Sequence, residues 1–151
     1  MLQRIQTLYL IIASFIVAAL LKIPLMSLKT DTEILILHYR GLFDFATKEY
    51  ITTNLVGIIL FVFIVFIPLI AIFLFKNRKL QMKLCNYGII FNVLFLIDMA
   101  YYVFEAQSQV KLSLHSELGL LLPVISIILL FLAKINIKKD EDLIRSVDRI
   151  R

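Results

Sequence analysis

The chain is poor in the residue types that build the familiar catalytic and metal sites. Its 151 residues include one cysteine, two histidines, four glycines and no tryptophan, and only 18% of them are charged. The single Cys85 excludes an intrachain disulfide, and no cysteine–histidine cluster has the spacing of a zinc site. The sequence also contains no nucleophile–base set, phosphate-cradling glycine loop or HExxH motif. We therefore expect no enzyme activity, no cofactor and no bound metal.

The chain is rich in apolar residues and correspondingly poor in charged ones. Apolar residues make up 61% of the chain, and the mean hydropathy is +0.93. A helix that crosses the hydrocarbon core of a bilayer needs about 20 consecutive apolar residues. Four stretches meet this requirement, at about 8–28, 55–75, 84–104 and 117–135. The sequence thus predicts an all-α membrane protein, a four-transmembrane-helix bundle that forms a single integral domain over 1–151.

The distribution of lysine and arginine predicts the orientation. Eleven of these residues lie near the N-terminus, in the 76–83 loop, at the end of the fourth span or in the 136–151 tail. Only four lie in the loops 29–54 and 105–116. Because basic residues accumulate on the cytoplasmic side, we expect both termini inside and these two loops outside. The opening apolar run continues well beyond the length of a signal peptide, so we expect an uncleaved first span.

The basic residues have membrane lipid as their first expected partner. They flank apolar runs, where each can attract anionic headgroups of the cytoplasmic leaflet by about 1 kcal/mol. No aromatic or base-reading residues accompany them in KNRKLQMK, so nucleic acid is not an expected partner.

The first outer loop has the pattern of a β-hairpin. The segments EILILHY and LFDFATKEYITTN are rich in β-branched and aromatic residues and flank Arg40-Gly41. An isolated hairpin is marginal in water, so we expect it on the outer ends of the helices, against the 105–116 loop. The alternative is an irregular cap with one short helix.

The tail KINIKKDEDLIRSVDRIR has the pattern of a short amphipathic helix. Asp140 can cap its start, and Leu143, Val147 and Ile150 follow the i, i+4, i+7 spacing of an apolar stripe. The helix could lie in the inner headgroup region, or it could dock on a cytoplasmic partner. The candidate contact residues are Lys138, Lys139, Leu143, Arg145, Val147, Arg149 and Ile150.

Both ends of the chain resemble those of a known family. The start QRIQTLYL and the end KKDEDLIRSVDRIR resemble small four-span inner-membrane proteins of Bacteroidota, a family defined by a domain of unknown function. The resemblance covers essentially the whole length. It implies a location in the bacterial inner membrane. The family has no established activity, so no catalytic residue is transferred from it.

Asp98 is the sharpest chemical feature of the predicted spans. An acidic residue inside a span is rare and is a functional candidate by default. Lys22 and Asp98 each lie six residues before the outer end of a predicted span, so antiparallel helices place both about 9 Å below the outer boundary. This predicts an ion pair. Alternatively, Lys22 extends outward to the headgroups and Asp98 accepts a hydrogen bond from Tyr101 or Tyr102.

Two functional hypotheses follow from these features. The first is a structural or accessory subunit that binds another membrane protein, a complex or a second copy of the chain. The second is a small transporter or channel component that uses Asp98. Transport needs a polar path across the bilayer, and the second span contains no charged residue at all. The first hypothesis is therefore favoured.

Overall fold

The computed structural model describes residues 3–29, 34–75, 77–109, 113–116 and 118–148. Within these residues, four long helices and a small sheet account for most of the structure. The helices are α1 (Gln3–Ala18), α2 (Leu55–Phe73), α3 (Arg78–Gln109) and α4 (Leu121–Asp148). Each helix packs against the next in the chain, and α4 returns to pack against α1. We refer to the four packed helices as the helical body.

Three of the helices are long and apolar enough to cross a membrane. The qualifying segments are Leu55–Phe73, Arg78–Glu105 and Leu121–Ile144. The apolar part of the first helix, Ile5–Leu21, has 17 residues. At 1.5 Å per residue it is about 25 Å long, against about 30 Å of hydrocarbon. The prediction of a mostly helical protein with helices long and apolar enough to cross a membrane is therefore confirmed, and the assignment of α1 as a further span stays a prediction.

The first helix ends earlier than the sequence predicts. After Ala18 the chain tightens into a 3-10 turn, Ala19–Leu21, and residues Met26–Lys29 form a strand instead of the end of a span. Pro24 accounts for the break, because proline has no backbone N–H to donate and disfavours the helical conformation of the residue before it. A stretch that is predominantly apolar in sequence is thus divided between a helix and a sheet.

The sheet has four antiparallel strands in the order β3-β2-β1-β4. The strands are β1 (Met26–Lys29), β2 (Ile34–His38), β3 (Gly41–Asp44) and β4 (Ser113–Ser116). The predicted hairpin is confirmed as β2 and β3, in which His38 is paired with Gly41. The second outer loop joins the same sheet through β4, but β4 pairs with β1, so β1 separates it from the hairpin and the expected direct contact with the hairpin is not observed among the described residues.

Two apolar clusters hold the molecule together. The first joins the sheet to the helices that meet it, and the second ties the four helices together farther from the sheet. The first contains Val17, Leu20, Leu25, Met26, Leu28, Leu37, Leu42, Phe61, Ile64, Phe95 and Met99. The second contains Leu10, Ala13, Ala71, Cys85, Leu130, Ala133 and Ile137. The sheet therefore covers one end of the helical body. We call the opposite end, where α1 and α3 begin and α2 ends, the base.

Candidate functional site

A polar cluster lies where α2 begins beneath the sheet. Asn54 immediately precedes α2 and is 1% exposed. Its side-chain oxygen accepts a hydrogen bond from the backbone N–H of Gly57 at 2.8 Å, and its amide nitrogen donates to the Asp98 carboxylate at 2.6 Å. Its backbone N–H donates to the Arg40 carbonyl at 2.7 Å. One buried residue thus caps α2, binds the acid of α3 and contacts the hairpin turn.

The Asp98 carboxylate therefore has a neutral partner. Lys22, the partner that the sequence predicts, is exposed and follows the 3-10 turn at the end of α1. The ion pair between Lys22 and Asp98 stays a prediction. Asn54 carried a local signal that could have drawn attention to it, since an asparagine directly before a long apolar run is a typical helix N-cap. Its contact with Asp98 carries no such signal, because 44 residues separate the two in sequence.

A second pair of polar side chains joins α1 to α4 at the base. The side-chain amide of Gln6 donates a hydrogen bond to the Asp140 carboxylate, and both side chains are buried. The sequence predicts Asp140 as the cap of a separate tail helix, but it lies inside α4, which continues without interruption to Asp148. No glycine or proline separates the fourth span from the tail, so nothing in the backbone ends the helix there.

The candidate contact residues of the tail lie at or beyond this anchor. Lys138, Lys139 and Leu143 are exposed on α4, and Leu143 is 56% exposed. Ile144 beside it is 45% exposed. Arg145 and Val147 belong to α4, but their side chains lie outside the described part of the structure, as do Arg149 and Ile150 entirely.

A cleft of about 410 Å³ opens at the base between α1, α2 and α3. Its lining consists of Gln6, Thr7, Leu8, Ile11, Ile72, Phe75, Arg78 and Gln81. Gln81 is only 3% exposed. The Nη1 nitrogen of Arg78 is buried, and no described residue hydrogen bonds to it. In the sequence, Arg78 is only one of several basic residues that flank the apolar runs. Nothing local marks it further, because its enclosure depends on the approach of α1.

These features define the class of the protein. Over the described residues it is predominantly helical, with three helices long and apolar enough to cross a membrane and a small antiparallel sheet over one end. In the described ranges no group of three or more histidine, cysteine, aspartate or glutamate residues could hold a metal ion. The chain belongs to the family of the domain of unknown function DUF4293, whose family model matches residues 2–150. The resemblance to an uncharacterised family is thereby confirmed. No curated protein and no solved structure matches the chain.

Proposed function

We propose that the protein is a four-span protein of the bacterial inner membrane with both termini in the cytoplasm. In this proposal it acts as an accessory subunit that holds another membrane protein through the cytoplasmic end of α4. The orientation rests on the distribution of lysine and arginine in the sequence. Eleven lie near the N-terminus, in the 76–83 loop, at the end of the 117–135 span or in the 136–151 tail, against four in the loops 29–54 and 105–116. Packing of α1 against both α2 and α4 supports its assignment as a span in addition to α2, α3 and α4.

The topology can be tested with reporters inserted after Lys79 and after Lys111. We expect a reporter that is active only in the cytoplasm to work at Lys79 and to fail at Lys111, and an externally active reporter to show the reverse. The same reporters fused after Asp148 serve as a control, since the proposal places that position on the same side as Lys79. An external Lys79 or an internal Lys111 would contradict the proposed orientation.

The course of α4 is the observation that supports an accessory role most directly. With 28 residues, α4 is about 42 Å long, which exceeds the roughly 30 Å of hydrocarbon in a bilayer. The contact between Gln6 and Asp140 fixes α4 to α1 at the base, and two further helical turns continue past it. A helix that continues without a break does not turn to lie in the headgroup plane. Its end therefore projects away from the helical body.

The chemistry of this projecting end favours a protein partner over lipid. Leu143 and Ile144 are exposed, and Lys139, Asp142, Leu143 and Ser146 line a shallow groove along it. Acidic residues such as Asp142 are repelled by an anionic membrane surface. An apolar stripe with charges of both signs beside it is typical of helices that dock in a complementary groove. The partner we propose has an apolar groove with both basic and acidic residues at its rim.

Replacing Leu143 and Ile144 together with serine tests the docking surface. We expect the amount of membrane protein that co-purifies in mild detergent to be at least tenfold lower for the double variant than for the full chain, because the apolar contacts of Leu143 and Ile144 are removed. Ile51→Ser is the matched control, since Ile51 is 58% exposed at the sheet end. Point variants are sharper than a chain ending at Lys139, because that truncation also removes Asp140 and its contact with Gln6.

Two outcomes of this experiment would reject the accessory role. One is that the double variant co-purifies with the same proteins as the unaltered chain. The other is that neither retains any. The alternative hypothesis, a transporter or channel component that uses Asp98, stays a prediction. The hydrogen bond from Asn54 accounts for this carboxylate as part of helix packing.

A further inference from the structure

The cleft at the base is lined by a charged side chain that has one buried donor nitrogen without a partner among the described residues. The Nη1 nitrogen of Arg78 is buried, and none of the described residues accepts a hydrogen bond from it. A buried donor without a partner is unfavourable, and more so when it carries a charge. None of the residues that line the cleft is acidic. Asp140 belongs to α4 and binds Gln6, and it is not part of the lining. Among the described residues, the positive charge of Arg78 thus lies on a lining without acidic side chains.

The walls of the cleft show which kind of anion fits. Arginine presents its donors in a planar fork that matches the oxygens of a phosphate group. The amide side chain of Gln81 lies on the same lining and can add a hydrogen bond, whereas that of Gln6 already donates to Asp140. The remaining wall is largely apolar and consists of Thr7, Leu8, Ile11, Ile72 and Phe75. A ligand that matches all of these groups has a phosphate joined to a hydrocarbon chain.

The exposure of the rim indicates where the ligand enters. Leu8 is 54% exposed and Phe75 is 51% exposed, so the apolar side of the cleft is open on the outer surface of the helical body. In the topology proposed above, this surface faces lipid at the level of the inner headgroups. We propose that the cleft is a specific site for an anionic phospholipid of the inner leaflet. Arg78 binds its phosphate, and an acyl chain lies along Leu8, Ile11, Ile72 and Phe75.

The test compares Arg78→Gln with Lys79→Gln in the full-length protein. Both variants remove one positive charge from the same turn of α3, but Lys79 is exposed and does not line the cleft. Binding of phosphatidylglycerol and of zwitterionic phosphatidylcholine is measured on detergent-purified protein by native mass spectrometry. We expect the unaltered chain to prefer phosphatidylglycerol. We expect Arg78→Gln to weaken its binding about tenfold, or about 1.4 kcal/mol, and Lys79→Gln to change it less than twofold.

A second variant tests the apolar wall separately from Arg78, and a second measurement shows whether each variant is folded. Ile11→Trp enlarges a side chain of the apolar wall, leaves Arg78 in place and is expected to exclude the lipid. Thermal unfolding provides the second readout. Phosphatidylglycerol should raise the melting temperature of the unaltered chain and of Lys79→Gln, and it should leave those of Arg78→Gln and Ile11→Trp unchanged.

Three results would overturn the lipid site. Equal losses in Arg78→Gln and Lys79→Gln would show that only the overall charge attracts the lipid. Equal binding of the two lipids would show that the phosphate charge is not recognised. Displacement of phosphatidylglycerol by millimolar inorganic phosphate would show that the cleft takes free phosphate instead. Arg78→Gln should retain the partner that depends on Leu143 and Ile144, so failure of the lipid site and failure of the accessory role are distinguishable.

Discussion

Replacing Gly41 with alanine is expected to prevent the sheet end from forming its observed structure. Gly41 has a φ of +132°, a conformation that other residues rarely adopt. A Cβ atom at this position would lie 2.0 Å from the carbonyl oxygen of Thr52 and 3.2 Å from the backbone nitrogen of Asn54. Both contacts are with backbone, so a change of side-chain rotamer cannot relieve them. We expect the free energy of unfolding to fall by about 4 kcal/mol or more, the range of severe single substitutions.

The measurement is thermal unfolding in detergent, together with protease resistance of the hairpin. Gly88→Ala is the matched control, because a Cβ there would meet only the flexible end of Leu130 at 3.0 Å and the side chain of Ile67 at 3.6 Å. Gly88 lies inside α3, where alanine is favoured over glycine by about 1 kcal/mol. We expect this control to be as stable as the unaltered chain. If Gly41→Ala has the same melting temperature as the unaltered chain, the hairpin does not approach residues 52–54 as closely as described.

Replacing Asn54 with alanine is expected to destabilise the protein by about 3 kcal/mol. Loss of a helix N-cap costs about 1 kcal/mol, and loss of a hydrogen bond to a charged group about 1.5–3 kcal/mol. Both losses occur at once here, because the two ends of one amide bind Gly57 and Asp98. Asn86→Ala is the matched control. Asn86 is exposed on α3, so its replacement should change the stability by less than about 0.5 kcal/mol.

A double-mutant cycle separates the two functions of Asn54. Asn54→Ala and Asp98→Ala are measured singly and together, and we expect a coupling free energy of about 1.5 kcal/mol or more. Strictly additive effects would show that the hydrogen bond contributes nothing. The same cycle with Lys22→Leu in place of Asn54→Ala tests the predicted ion pair. Coupling of similar size would support the pair, and additivity would reject it.

The helices were largely predictable because their signal is local. A long apolar run specifies a helix by its own length and composition, and α2 (Leu55–Phe73) differs from the predicted 55–75 by only two residues. For α3 the helix Arg78–Gln109 continues beyond both ends of the predicted span 84–104. Hydropathy marks the part of a helix that lies in hydrocarbon. Polar residues continue the same helix beyond it without leaving a signal.

The hairpin was also readable from the sequence, whereas the rest of the sheet was not. Residues 34–44 carry both strands and their turn within a few positions, so the pattern is complete in itself. Strand β1 (Met26–Lys29) is only four residues long and carries no strand pattern of its own in the sequence. It becomes a strand because Pro24 ends the helix and because β2 and β4 are present on either side to accept its hydrogen bonds. The second of these conditions exists only in the folded chain.

Composition was sufficient to predict a mostly helical protein with helices long and apolar enough to cross a membrane. The partners of its polar groups were decided by tertiary structure. Asp98 binds Asn54, and Asp140 binds Gln6, 134 residues away in sequence. The enclosure of Arg78 likewise depends on the approach of α1 and α2. A sequence specifies which residues need a partner, since a buried polar group is unfavourable without one. Which residue meets that need depends on distances between elements that only the packed helices determine.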